Sequence, residues 1–211
     1  QELAQELTLE SPYWTSTETP EDYEKHMDFV EPNPEYFDSF QKSMEKIEEI
    51  ISAKLEAKIK PYLFKLLYVN LITVLETYLS EAFVTLVLSH EKYTRKFIEK
   101  NKDFQQQRIQ LSTIFNEHNN IKFRIQNYLS DLIWHRLDKI EQLYKCTFDV
   151  TFKNKDALFK AILIRHDLVH RGGKKDNGEM IKISETEFSS TKAEVVNFVD
   201  NLNAQLHKQN L

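Results

Sequence analysis

The sequence predicts an all-α protein, and three observations support that reading. Apolar residues recur every three or four positions over long stretches, the period of a helix with one buried face. Only three glycines and five prolines occur in 211 residues, and every proline lies at or before Pro61. Between Lys65 and Leu163 neither residue type interrupts the chain, which suits long helices and not the many turns of a sheet protein. The expected architecture is a bundle of long antiparallel helices with a short extended segment near 179–184. A chain of this length can bury one well-formed core.

Residues 1–33 read as an acidic, partly irregular N-terminal arm, in which Pro12, Pro20 and Pro32 alternate with the isolated aromatics Tyr13, Trp14, Tyr23 and Phe29. The helical domain spans 34–211. Its first helix is expected from Pro34 to Lys60, with Phe37, Phe40, Met44, Ile47, Ile51, Leu55 and Ile59 on one face and Glu and Lys on a solvated one. Pro61 suits the first turn of the next helix, where its missing N–H costs nothing. Leu63 to Leu88 is apolar almost all round, the mark of a buried central helix. Lys65, Asn70, Glu76 and Glu81 break it, so no uninterrupted run is long enough to span a bilayer. Glu76 and Glu81 would be expensive to bury unpaired. The preferred reading places both on an exposed stripe; the other takes one of them to a polar cluster near residue 170.

Shorter helices are expected around Tyr93–Lys100 and Phe104–Phe115, then a turn at Asn116–Asn120 and one helical run from Ile121 to Tyr144. Thr147 to Phe152 alternates apolar and polar but is too short to found a sheet. Asn154 is a candidate N-cap for the helix that follows. Gly172 and Gly173 supply its left-handed exit. Asp176-Asn177-Gly178 signals a turn, Met180–Ile183 a short strand or extended arm, and Ser189 or Ser190 a cap for the last helix.

The net charge of −5 argues against a broadly basic nucleic-acid surface. Its distribution is uneven. Residues 1–60 hold 15 acidic and 6 basic side chains, whereas the remainder holds 18 and 22, a net of +4. That balance permits a local anion site. The single Cys146 excludes an intrachain disulfide framework and fits a reducing compartment, so a cytoplasmic protein is expected.

Chemistry concentrates in Arg165-His166-Asp167-Leu168-Val169-His170-Arg171, followed by Gly172-Gly173. One reading is structural, because His166 and His170 lie four apart on one helical face. A second is a metal site built on His166, Asp167 and His170, although no third ligand is evident and the flanking arginines repel a cation. A third is phosphodiester chemistry without metal. Arg165 can hold a phosphate through charge-assisted hydrogen bonds, and His170 can move a proton near neutral pH. Residues five apart lie roughly 140° around an ideal helix. Arg165 and His170 therefore meet at one phosphate only through long reach, a loosened helix end, or a second chain.

Arg165 through His170 spells R-x-x-x-x-H near the end of a helix, with polar His166 after the arginine, apolar Leu168-Val169 before the histidine, and a Gly- and Lys-rich exit to a final helix. This resembles the HEPN superfamily, and the helical layout extends the likeness over about residues 35–208. The resemblance implies a homodimer in which two motifs face one cleft, and a metal-independent endoribonuclease of the toxin or anti-phage defence kind. It needs no cofactor and no membrane. RNA is the implied substrate, and an antitoxin or sensor protein a further partner. Carried over by position, Arg165 would bind the scissile phosphate, His170 would be the general base or acid, and His166 fills the family's variable polar position; Asp167 and Arg171 are supporting candidates that the family does not fix, and Glu76 of the central helix is a candidate distal acidic partner. Attack by the ribose 2'-hydroxyl would leave a 2',3'-cyclic phosphate, so DNA should be inert. A subgroup of toxins has Tyr two residues after the histidine, where this chain has Gly172, so functions tied to that Tyr are not implied. The alternative is a non-catalytic domain of the same shape that binds a nucleotide or a partner protein.

Overall fold

A computed structural model describes residues 30–54 and 56–208. The expected arm at 1–33 therefore lies outside the described residues except for its last four positions. Among the described residues the protein is helical without a strand. Its helices are α1 (Tyr36–Ser52), α2 (Lys60–Ser89), α3 (Glu91–Lys100), α4 (Lys102–Gln105), α5 (Ile114–Asn119), α6 (Ile121–Ser130), α7 (Leu137–Phe148), α8 (Lys155–His170) and α9 (Glu185–Lys208).

The apolar run from 63 to 88 forms α2, and α1, α3, α6, α8 and α9 all pack against it. Leu71, Ile72, Leu79, Phe83, Val84 and Val87 are completely buried there. By length and composition α2 could cross a bilayer, yet 72% of its most apolar stretch is buried inside the protein. Here it is a core helix. Phe83 is its aromatic hub, with the rings of Phe97, Trp134, Tyr144 and Phe148 centred 5.0 to 6.0 Å away. Such tilted and edge-on contacts add to the burial of large apolar area. Buried hydroxyls are paired, Tyr144 donating to the Leu79 carbonyl at 2.7 Å and Tyr78 to Asn203 at 3.4 Å.

Several boundaries differ from the periodicity. The first helix stops at Ser52, not Lys60, because its buried face ends at Ile47 and unsupported turns gain nothing from packing; Ile59 instead caps α2, with Pro61 in its first turn. The stretch expected as one helix over 104–115 breaks into α4 and a later short turn. Leu111 and Phe115 are largely exposed there and find no core. Asn116–Asn119, expected as a turn, is the body of α5. The run from 121 to 144 breaks at 131–136 between α6 and α7. Leu129, Trp134 and Leu137 are all buried, and in a continuous helix Trp134 would sit roughly 140° from Leu129. Leaving the helix lets all three reach one core.

Asn154 does occupy the position before α8, but in a left-handed conformation and without a side-chain cap. The last helix is capped by Ser184, whose Oγ accepts from the Glu187 amide at 3.1 Å, and not by Ser189 or Ser190. Gly172 and Gly173 both have positive φ and carry the chain out of α8. The extended segment near 179–184 is tied back by one antiparallel bridge, Lys174 with Met180, and by Ile181 donating to the Gly173 carbonyl. Its Ile181 and Ile183 are buried, which anchors it beside the end of α8.

Candidate functional site

The site grows from the junction of α2, α8 and the turn at 131–136. Helix α8 buries Leu158, Ala161 and Ile162 against the core, and this sets the rotation of everything C-terminal to them. Arg165 consequently turns toward α2, where its Nη2 lies 3.8 Å from Glu76 Oε1. The Arg165 side chain is 18% exposed and that of Glu76 20%. The reading of Glu76 as part of an exposed stripe is therefore corrected: it meets Arg165 of the polar cluster. Glu81 is not a free stripe residue either, since it accepts from Asn33 Nδ2 at 2.7 Å.

A histidine that the spacing gave no reason to single out joins them. His135, on the turn between α6 and α7, places Nδ1 3.3 Å from the same Glu76 Oε1. Its neighbour Trp134 packs on Phe83 of α2 and fixes the turn. The helical period of Leu129, Leu132, Ile133 and Leu137 reads straight through this break, which is why His135 was hidden. The only local hint was Arg136-Leu137-Asp138, an acidic residue in the first turn of a new helix.

Arg165 and His166 line an open cleft of about 310 Å³ together with His135, Arg136 and an apolar wall of Phe159, Ile162 and Leu163. Arg136 makes a two-pronged contact with Asp138 at 3.0 and 3.1 Å. The hydrogen bond from Arg136 is the main cause holding the Asp138 carboxyl below its ordinary range. A second cleft of about 310 Å³ lies on the other side of His135, bordered by Glu76, Thr77, Ser80 and Trp134.

The remaining motif residues divide between two roles. The His166 and His170 rings meet at a tilt, 4.8 Å between centroids, on the exposed side of α8. His170 does not line the Arg165 cleft. Asp167 and Arg171 fasten the helix exit. They form an ion pair at 3.4 Å, Arg171 also meets Asp176, and the Asp167 carbonyl accepts from the Arg171 and Gly173 amides. Within one chain Arg165 and His166 are thus brought together, Asp167 and Arg171 serve the loop, and His170 faces outward.

Among the described residues no three His, Cys, Asp or Glu side chains come together as a metal-holding group. Three buried polar atoms at the junction have no hydrogen-bond partner: Glu76 Oε1, Arg165 Nε and Trp134 Nε1. Buried polar atoms are ordinarily satisfied; here the first is an acceptor and the other two are donors. The fold and site define an all-α protein with an arginine- and histidine-lined cleft. No protein-family model, curated protein or solved structure matches this chain.

Proposed function

We propose that the protein is a metal-independent endoribonuclease of HEPN type, an effector of growth arrest or anti-phage defence that works as a homodimer. The observation that carries this reading is Arg165. It borders an open cleft, and the 3.8 Å contact between Nη2 and Glu76 leaves guanidinium donors for a phosphate. Arg165 holds the scissile phosphate and favours its transition state as charge develops there. His170, on the outward face of α8, serves the Arg165 of a second copy. Exposed Leu163 and Val169 on the same helix provide apolar surface for that approach. The 2'-hydroxyl loses its proton and attacks phosphorus, the bond to the 5'-oxygen breaks, and 2',3'-cyclic phosphate and 5'-hydroxyl ends result.

Purified protein in EDTA is expected to cut total RNA and leave single-stranded DNA intact. Arg165→Ala and His170→Ala should each reduce cutting by at least about 100-fold with circular dichroism unchanged. Cleavage that survives His170→Ala sinks the proposal. A second reading, a domain that binds a nucleotide or partner without turnover, is favoured by His170 lying outside the Arg165 cleft within one chain. Tight RNA binding with no product from the parent protein would select it.

A further inference from the structure

We propose that His135 is a catalytic residue, the proton donor to the leaving 5'-oxygen of RNA held at Arg165. The proposal rests on the ribonuclease reading and adds a residue outside the R-x-x-x-x-H motif. Its basis is position. Glu76 Oε1 lies 3.3 Å from His135 Nδ1 and 3.8 Å from Arg165 Nη2, so one carboxylate oxygen joins the imidazole to the guanidinium within a single chain. A phosphate held by Arg165 therefore has His135 beside it without any second copy. His170 does not line the Arg165 cleft within one chain.

Orientation supports the same role. The Nδ1 edge of the ring faces the Glu76 carboxylate, which leaves Nε2, on the opposite edge, to meet substrate. His135 is 30% exposed and lines both clefts, so substrate can reach it. The turn that carries it is anchored, because Trp134 beside it is 7% exposed against Phe83. Arg136, the next residue, is already paired with Asp138. His135 is thus the proton carrier of that turn.

The step balances. His170 takes the proton of the 2'-hydroxyl, O2' bonds to phosphorus, the P–O5' bond breaks, and the His135 imidazolium gives its proton to O5'. Exchange with water resets both rings.

The test uses an oligoribonucleotide containing a linkage that the parent cuts, and the same strand with sulfur replacing the bridging 5'-oxygen there. A thiolate leaves without being protonated. His135→Ala and His135→Gln are expected to slow cleavage of the normal strand by about 100-fold or more with KM little changed. On the sulfur strand they should lose less than about threefold, since the proton transfer is no longer needed. His170→Ala should slow both strands. Thermal melting within a few degrees of the parent shows that the fold persists.

If His170→Ala is inactive but His135→Ala cuts the normal strand at the parental rate, this inference is overturned and the ribonuclease reading stands. Equal losses on both strands also overturn it, because they indicate a structural role. A parent that cuts no RNA overturns both.

Discussion

Glu76 is the residue on which the cleft turns. It lies within a largely apolar helix, and its carboxylate stands between the Arg165 guanidinium and the His135 imidazole, contributed by distant parts of the chain. Removing one member of a buried ion pair costs about 3–5 kcal/mol. With both side chains about one-fifth exposed, screening reduces that to about 1–2 kcal/mol. Glu76→Ala should lower stability by that amount, and Glu76→Ala with Arg165→Met should cost less than the two single changes added together. Urea unfolding of the three variants measures the coupling, and strict additivity would show that the pair is not energetically joined. Arg165 and His170 were legible as candidates because motif residues are close in sequence. The Glu76 contact was legible only as the less favoured of two alternatives, since no local pattern says which distant side chain faces a buried carboxylate.

Among the elements, the break at 131–136 matters most for the site. Periodicity reports which residues are apolar and not whether one helix or two bury them, so Leu129 and Leu137 look the same in either arrangement. Helix α2 was legible because its apolar surface runs all round and admits only a central position. The start of α9 was misplaced for a different reason. Phe188 is completely buried, so the helix must already be formed there, and Ser184 takes the capping role. Ser184→Ala should cost about 1 kcal/mol and lower Tm by about 2–4 °C in a chain of this size. Ser189→Ala and Ser190→Ala, inside the helix, should leave Tm nearly unchanged. A scanning melt of the three variants decides between the two cap positions.

For the whole molecule, buried phenols set the alkaline limit. Desolvation is the largest cause raising Tyr78 and Tyr144, and both are pushed far above the usual tyrosine range. In the unfolded chain they ionise near pH 10. Above that pH the unfolded state loses protons that the folded state keeps, so stability falls as pH rises. The slope is about 1.4 kcal/mol per pH unit for each such tyrosine. Urea midpoints should therefore be flat with respect to these groups below about pH 9 and drop steeply above about pH 10. Tyr144→Phe should reduce the slope by one tyrosine's share; an unchanged slope would remove Tyr144 from the account.

The convergence of Glu76, His135 and Arg165 also has a meaning for synthesis. The three belong to a central helix, a later turn and a still later helix. A ribosome finishes the carboxylate long before it finishes the guanidinium. No growing chain holds the complete cluster until α8 has emerged and docked on α2. The cleft therefore comes into existence only with the nearly finished fold, and a truncated or half-folded copy lacks it.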